Sequence, residues 1–481
     1  MPLTFNDYIF IPFLLIVLIV YWVLNKKTIY QNLWILCVSY FFYGFGNYLL
    51  FLIILGITLS NYCSGLLISK YLKDQKGKII LYLIVIFDLC FLGVFKYFNF
   101  FTDAIITFIS FFGLQLTFTS INLLFPIGIS FFIFQVISYN IDIFQEKILV
   151  TKNYITFAVF VAFFPKIIAG PIERAKNLMP QISTKKNIDL RMIASGFQLT
   201  LIGLFKKVII ADIIASKIAG FYTNTRAFSS SDAFIITFLY TMQIYADFSG
   251  YSNMARGISK FFGINLSVNF NYPYLAKNVR EFWKGWHISL STWLTDYLYI
   301  PLGGSRVKKK SRIYFNAIVT MALGGLWHGA GLNFILWGFI HGIFLMLTRI
   351  AQSSSKKEND DPNSQGAKYH FKNILSWFIT INLVNFAWIF FRAPSAGVGF
   401  AIIAKILTFQ GGLIYSADFL ALFIFSAMIL FSFDVIQRKQ KRHEIFTDLH
   451  WAIQGLCYST MILMIIIFKI DAYTPFIYAG F

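Results

Sequence analysis

Two histidines occur inside sequence that is apolar enough to lie in a membrane. His328 and His341 belong to the segment GGLWHGAGLNFILWGFIHG, residues 324–342. Ionisable side chains at such positions are costly and usually functional. A neutral imidazole, which a low dielectric favours, can take the proton of a hydroxyl group as its oxygen attacks and later donate a proton to a leaving thiolate. A histidine at such a position would therefore suit acyl transfer as a general base.

The same segment also has a purely structural interpretation. Its glycines allow close helix packing, and a histidine can be hydrogen-bonded within a helix bundle. His328 and His341 are 13 positions apart, which on one continuous helix corresponds to about 20 Å of rise and to different faces. We therefore do not expect the two imidazoles to form a local ligand pair.

A third histidine lies in REFWKGWHISLSTWLTDYLYIPLGG, residues 280–304. On a helix of about 3.6 residues per turn, this segment divides into two faces. The apolar face consists of Trp283, Trp286, Leu290, Trp293, Leu294 and Tyr297. The polar face consists of Arg280, Lys284, His287 and Ser291. The segment is either an amphipathic helix at the membrane interface or, with a histidine beside two cations, a surface that faces an anionic donor such as a thioester cofactor.

Polar residues also crowd the segment YADFSGYSNMARG, residues 245–257, directly after an apolar run. Asp247, Ser249 and Tyr251 at membrane depth are typical of a cavity lining, although the Asp and Ser could equally cap a helix terminus at the interface. The chain contains no G-x-S-x-G around these serines and no H-E-x-x-H, Walker loop or G-x-G-x-x-G. The sequence therefore gives no support to a hydrolase elbow, a metalloprotease or a nucleotide-binding fold.

A helix break is predicted in FFPKIIAGPIERAKNLMPQ, residues 163–181. Pro165, Gly170 and Pro171 interrupt the apolar run, and a basic amphipathic tail follows them. Taken alone, this segment indicates a re-entrant or interfacial turn.

The elements that must hold these residues are membrane helices. The chain has 58% hydrophobic and only 13% charged residues, against about 25% charged in ordinary soluble domains. Apolar runs of roughly the 20 residues that cross a bilayer recur along it, without the alternation of a β-barrel. We predict an all-α, polytopic bundle of about 11–13 membrane helices plus interfacial or re-entrant helices. The predicted spans lie near residues 8–24, 33–55, 79–96, 98–114, 120–139, 154–170, 193–213, 232–247, 313–327, 331–349, 374–391, 415–433 and 452–470.

The formal net charge of +20 follows from topology rather than from a nucleic-acid partner. Its basic residues cluster in short loops, for example at 308–312 and 438–442, which indicates the cytoplasmic side. The four cysteines are scattered, with no C-x-x-C pair, and predict neither a disulfide framework nor a metal site. We expect one membrane domain over residues 1–481, with a flexible hydrophilic loop at 351–370.

These segments, in this order, resemble the membrane-bound O-acyltransferase family, and within it the bacterial alginate O-acetyltransferase branch. The likeness extends through FPIGISFFIFQVISYNIDIF (125–144), GLFKKVIIADIIA (203–215) and WIFFRAP (388–394). It covers nearly the whole chain.

The resemblance implies a helix bundle around a membrane-traversing tunnel, in the plasma (inner) membrane. By the same resemblance the donor is acetyl-CoA, no cofactor is bound permanently, and the acetyl group passes to an exported polysaccharide, directly or through a periplasmic or extracellular acetylase. His328 matches the family's essential histidine, taken as general base, and His287 matches its second catalytic position. The residues expected to line the tunnel or contact substrate are Arg280, Trp283, Lys284, Trp286, Ser291, Trp327, His341, Asp247, Ser249 and Tyr251.

The chain departs from the usual pattern of the branch at two internal positions. Asn253 stands where Asp is expected, and Gly285 stands where a basic residue is commoner. Two alternatives stay open at this point. One is a family relative with another cargo, such as a D-alanyl, peptidoglycan or lipid O-acyltransferase. The other, from a different class, is a polysaccharide or small-molecule transporter, for which a polar tunnel would serve equally well.

Overall fold

The computed structural model describes residues 4–114, 126–355, 367–409, 416–470 and 476–477. Throughout these ranges the regular structure is helical, and no strand occurs in them. Part of the predicted span 120–139, the first residue of the FPIGISFF segment and residues 356–366 of the predicted hydrophilic loop lie outside the described residues.

The helices follow one another along the chain with short connections. The first eight are α1 (Phe10–Val23), α2 (Thr28–Gly44), α3 (Tyr48–Lys70), α4 (Gln75–Ser110), α5 (Ile129–Phe144), α6 (Tyr154–Ala162), α7 (Phe164–Ile167) and α8 (Ala175–Ser183). Those that follow are α9 (Leu190–Phe205), α10 (Ile213–Thr223), α11 (Ser230–Phe261), α12 (Val279–Gly285), α13 (Ile288–Leu294), α14 (Lys310–His328), α15 (Leu332–Ser355), α16 (Ala367–Arg392), α17 (Ala396–Leu407), α18 (Ser416–Gln440) and α19 (Trp451–Phe468). Two π-helical segments, Lys206–Asp212 and Thr295–Tyr299, and two 3-10 turns, Thr225–Ala227 and Pro273–Leu275, join some of them.

Six helices in the described ranges are long and apolar enough to cross a bilayer. They are α3, α4, α15, α16, α18 and α19. Shorter apolar helices occur at α1, α5 and α17. A helix satisfies all its backbone groups internally, which lipid requires of any spanning element. The predicted all-α, polytopic membrane class is confirmed.

Two predicted spans, 79–96 and 98–114, form one continuous helix, so the predicted boundary between them is wrong. Helix α4 runs for 36 residues and continues through Lys96, the last residue of the first predicted span. The ammonium group of Lys96 donates a hydrogen bond to the Ser130 hydroxyl at 3.3 Å. Because the charged group has a partner inside the protein, it does not need to mark a membrane boundary.

The helix break predicted for the segment 163–181 is confirmed. Helix α6 ends at Ala162, and Pro165 stands in the first turn of the short helix α7. Proline lacks the backbone N–H that a continuing helix would need, and it is tolerated in a first turn. The predicted span 154–170 is therefore divided into two helices.

By its internal contacts the chain divides into two compact units. The first contains the described residues up to Thr200 together with Ser252–Ser267. The second contains Leu201–Tyr251 and the described residues from Val268 onward. All three histidines discussed above belong to the second unit.

Helices α14 and α15 form a close antiparallel hairpin in the second unit. A β-carbon on Gly325 would collide with the carbonyl oxygen of Phe334, and one on Gly338 would collide with that of Met321. The two backbones can approach this closely only because both positions lack a side chain. His328 is the last residue of α14, so the hairpin holds its imidazole against α15. The chain reverses between Gly329 and Gly331, which agrees with the separate spans predicted at 313–327 and 331–349.

We predict that Gly338→Ala lowers the midpoint of thermal unfolding in detergent. The added methyl group must push apart two packed backbones, and such overpacking costs about 1–3 kcal/mol. Gly93→Ala in α4 is the matched control, because nothing lies within 4 Å of its added β-carbon. Alanine is also the better helix former by up to about 1 kcal/mol. Equal midpoints for the two variants would contradict the close approach.

Candidate active site

His287 lies at a break between two short helices. Helix α12 ends at Gly285, and α13 begins at Ile288. Between them His287 adopts a left-handed backbone conformation, with φ of 42°. A non-glycine residue in that conformation is strained and is common at functional sites.

The amide of Asn269 holds this break in place. Its side-chain oxygen accepts hydrogen bonds from the backbone N–H of Ser289 at 3.2 Å and from the Ser289 hydroxyl at 2.9 Å. The backbone carbonyl of Asn269 accepts a further bond, at 2.9 Å, from Ile288 N–H. The strained residue is thus fixed by a loop from outside its own two helices.

The two-faced helix predicted for residues 280–304 is wrong. Because the chain breaks at His287, this imidazole does not share a face with Arg280 and Lys284. His287 is fully buried, whereas the two cations are exposed. The model of a histidine flanked by two cations therefore does not hold.

The unusual glycine of this segment has a steric explanation. A β-carbon on Gly285 would lie 2.6 Å from the carbonyl oxygen of Asn271. Asn271 N–H also donates to the Gly285 carbonyl at 2.9 Å. A basic side chain, which the resemblance leads one to expect here, would have to displace this loop.

His287, His328 and His341 form a buried group that we name the histidine cluster. None of the three is more than 2% exposed. The ring centroids of His287 and His328 are 6.2 Å apart. His328 and His341 both contact the ring of Trp337. Its centroid lies 5.1 Å from that of His328 and 5.0 Å from that of His341. The structure thus brings together three histidines that come from the α12–α13 break, the end of α14 and the middle of α15.

Aromatic side chains enclose the cluster. The Trp327 ring lies 5.9 Å from His287 and 5.0 Å from His328. Trp283 donates a hydrogen bond from Nε1 to Nδ1 of His341 at 3.3 Å. Phe248 of α11 packs edge-on against His287 with centroids 4.6 Å apart. These apolar surroundings favour neutral imidazole, the form that can accept a proton.

Three members of this enclosure were missed by the sequence reasoning. Trp388 and Phe391 belong to the WIFFRAP segment, which carried the resemblance without a proposed role. Trp388 packs against Trp286 at 4.9 Å, and Phe391 packs against His328 at 5.2 Å. The third, Trp337, stands four residues before His341 on α15. That helical spacing was the available signal, because residues four apart share a face.

The residues predicted to line a tunnel fall into separate places. Arg280, Trp283 and Ser291 share a cavity of about 320 Å³ with Arg349. Lys284 instead lines a cavity of about 300 Å³ together with Arg438. Trp286 and Trp327 belong to the aromatic enclosure.

Asp247, Ser249 and Tyr251 lie within α11, which continues to Phe261. The alternative in which they cap a helix terminus is therefore wrong. The Ser249 hydroxyl accepts a hydrogen bond from Lys206 at 3.3 Å, and the Tyr251 ring packs against Phe476 with centroids 4.7 Å apart.

Asp247 belongs to a buried ion triad with Lys207 and Asp212. The Lys207 ammonium lies 2.8 Å from a carboxylate oxygen of each aspartate. Lys207 and Asp212 are five residues apart in a π-helical segment, whose i to i+5 spacing aligns them. The second carboxylate oxygen of Asp247 accepts a bond from Ile477 N–H at 2.7 Å. These contacts indicate a structural role for Asp247, and its neighbour Phe248 is the residue that touches the histidine cluster.

We predict that Lys207→Met lowers the thermal unfolding midpoint strongly, because it leaves two carboxylates buried without their cation. Breaking a buried ion pair by removing one partner costs about 3–5 kcal/mol. Adding Asp212→Asn and Asp247→Asn to the same chain should recover much of the loss. The control is Asp448→Asn, which removes the exposed partner of Arg442 and should leave the midpoint unchanged. A Lys207→Met protein as stable as wild type would show that the triad does not hold α11.

A helical membrane protein with several buried histidines is the class that the fold and the site define. The sequence model of MBOAT, the membrane-bound O-acyltransferase family, matches residues 35–389. The chain therefore belongs to that family and is an O-acyltransferase, a multi-pass membrane enzyme. The matched range contains the whole histidine cluster.

Similarity to named proteins supports the same assignment. The chain is 39% identical over 410 residues to the probable alginate O-acetylase of Pseudomonas aeruginosa, covering 85% of this chain and 75% of the relative. It is 37% identical over 427 residues to the peptidoglycan O-acetyltransferase of Helicobacter pylori, covering 82% and 77%. It is 29% identical over 282 residues to the teichoic acid D-alanyltransferase of Streptococcus thermophilus, covering 55% and 68%.

Proposed function

We propose that this O-acyltransferase moves an acetyl group from acetyl-CoA, supplied by the cytoplasm, to an exported polysaccharide across the plasma (inner) membrane. The observation that carries the proposal is that relatives sharing 37–39% identity over more than four fifths of the chain, among them those of Pseudomonas aeruginosa and Helicobacter pylori, are named for O-acetyl transfer. Both names specify a glycan of the cell exterior. The final transfer is direct or passes through a periplasmic or extracellular acetylase.

The chemistry proposed for the site uses His328 as general base. Its neutral imidazole takes the proton of an acceptor hydroxyl while the hydroxyl oxygen attacks the acyl carbon. The same proton then passes to the departing thiolate, which leaves an ester and a free thiol. Such a base contributes about 10²–10⁴-fold to the rate. His287, whose ring lies beside that of His328, orients the donor or the acceptor.

The cavity that holds Arg280 and Arg349 suits the anionic end of a coenzyme A thioester. Two guanidinium groups border it, together with the hydroxyl-bearing residues Ser291, Thr295 and Thr320. Arginine suits phosphate recognition because its planar fork of donors matches phosphate oxygens. The cavity also adjoins the basic segment 306–312, which charge patterning assigns to the cytoplasm.

One face of α14 leads from this cavity to the proposed base. Ile313, Ala317 and Met321 line the cavity at intervals of four residues, and Gly324 and His328 continue the stripe toward the end of the helix. Residues at three- and four-residue spacing share a helix face. A donor whose phosphates occupied the cavity would therefore have a continuous helix face along which its acyl arm could extend.

Transfer of D-alanine is the second candidate within the family. The teichoic acid D-alanyltransferase relative is less similar and aligns with only 55% of this chain. Acetate is therefore the acyl group that the comparisons favour. A transporter, the rival from a different class, would move its cargo without forming an ester.

We predict that His328→Ala abolishes base-releasable acetate on the exported polysaccharide of a deletion strain, because the acceptor hydroxyl loses its proton acceptor. His287→Ala should reduce the acetate by at least about tenfold, since the acceptor and donor lose their alignment. Acetate released by mild alkali is quantified at matched membrane abundance of each protein. His370→Ala is the control, because His370 is exposed on α16 and outside the cluster, and it should leave acetate at the wild-type level.

The same extracts distinguish the alternatives. Alkali-releasable D-alanine, lost with His328→Ala while acetate is absent from wild type, would overturn the acetyl assignment and leave acyl transfer intact. Wild-type acetate in both cluster variants would overturn the assignment of these histidines. Absence of any released acyl group, together with export that depends on the protein, would favour the transporter.

A further inference from the structure

His341 has a defined tautomer in this structure. Its Nδ1 accepts a hydrogen bond from Nε1–H of Trp283, at 3.3 Å. An imidazole nitrogen that accepts a hydrogen bond carries no proton, so the proton of the neutral ring resides on Nε2. His341 therefore presents an Nε2–H donor, and the residue is completely buried.

This donor has no acceptor within the described part of the chain. Nε2 of His341 and Nε1 of Trp337 are both buried without a hydrogen-bond partner there. A buried N–H without a partner costs about 1–3 kcal/mol, and such groups in native proteins call for an explanation. The two side chains stand four residues apart on α15, and their ring centroids are 5.0 Å apart. Two unsatisfied donors thus lie together on one helix face.

The position of this pair relative to the proposed base suggests what they bind. The Trp337 ring contacts the His328 ring, with centroids 5.1 Å apart and planes nearly perpendicular. The rings of Trp283, Trp388 and Phe391 are also stacked or packed edge-on against Trp337. None of these rings offers a strong acceptor. The natural acceptor is a substrate oxygen next to the atom at which His328 acts.

We propose that Nε1–H of Trp337 and Nε2–H of His341 form an oxyanion hole for the acyl carbonyl. The inference rests on acyl transfer at His328, as proposed above, and does not depend on the identity of the acyl group or the glycan. Trp283 is a positioning residue, because its bond to Nδ1 keeps the proton of His341 on Nε2. The sequence motifs give no role to Trp337, and they place His341 only among the residues expected to line the tunnel or contact substrate.

Acyl transfer with this oxyanion hole conserves every atom and proton. The acceptor oxygen forms a bond to the acyl carbon and its proton moves to His328, while the C=O π electrons move onto the carbonyl oxygen. The two N–H groups stabilise that oxyanion. When the C=O bond re-forms, the C–S bond breaks and the thiolate takes the proton from His328. Ester and thiol leave, and every protein group returns to its starting state.

The test compares two replacements at His341. His341→Gln keeps a side-chain N–H donor. His341→Leu removes the donor and places an apolar side chain in apolar surroundings. If His341 only filled space, leucine would be tolerated at least as well as glutamine. An oxyanion donor predicts the reverse order, with His341→Leu reducing the acyl-transfer rate by about 10²-fold or more and His341→Gln restoring at least a tenth of wild-type activity. The rate is that of ester formation on the exported polysaccharide at matched membrane abundance and unchanged unfolding midpoint.

Trp337→Phe supplies an independent variant, because it keeps a large aromatic ring and removes the N–H. We expect the maximal rate at saturating acyl donor to fall by at least about tenfold. The acyl-donor concentration that gives the half-maximal rate should change little, because the hydrogen bond from the Trp337 N–H strengthens in the transition state. Trp34→Phe is the matched control: it also removes an indole N–H bond, to the carbonyl of Val17 at 3.0 Å, and should keep full activity.

The inference is overturned if His341→Leu is as active as His341→Gln, or if Trp337→Phe retains the wild-type maximal rate. Failure of the proposed function has a different signature. Wild-type cells would then carry no acetate ester, and the same series would be measured with whichever acyl group the wild-type protein transfers. Loss of activity in Trp34→Phe equal to that in Trp337→Phe would also count against an oxyanion hole.

Discussion

The close backbone contact between α14 and α15 is the constraint on which the position of the histidines depends. Gly325 and Gly338 each face a carbonyl of the opposite helix, so the two helices can meet only where side chains are absent. Because His328 ends α14, this contact sets it beside Trp337 and His341 of α15. The proposed base and two buried N–H groups thus lie in one aromatic enclosure as a consequence of two glycines.

The histidine cluster and the ion triad differ in how fully their buried polar groups are satisfied. Lys207 and its two aspartates satisfy one another, which makes their charges tolerable inside the protein. The cluster is surrounded by aromatic rings, and Nε2 of His341 has no hydrogen-bond partner among the described residues. The first arrangement holds helices, and the second is suited to a substrate that supplies the missing polar partner.

The sequence predicted the helical membrane class and singled out the three histidines that the fold brings together, because hydropathy and residue type are local properties. It did not predict the break at His287, since the left-handed conformation there depends on Asn269, almost twenty residues away. The helix reversal after His328 was predicted, because two separate apolar spans, 313–327 and 331–349, meet there. The position of Trp388 beside the cluster was also not predicted, because it depends on packing between segments that are distant in the sequence. The features that were missed depend on tertiary contacts, which the periodicity of a single segment does not predict.

The most direct measurement follows labelled acetate through membrane vesicles of the producing strain, combined with its extracytoplasmic soluble fraction. The donor is acetyl-CoA labelled in the acetyl carbon, and the acceptor is the strain's own exported polysaccharide, stripped of esters with mild alkali. We expect base-labile label on the glycan, one free thiol released per ester, and the loss of both with His328→Ala. Labelled ester formed at the wild-type rate by His328→Ala would contradict it.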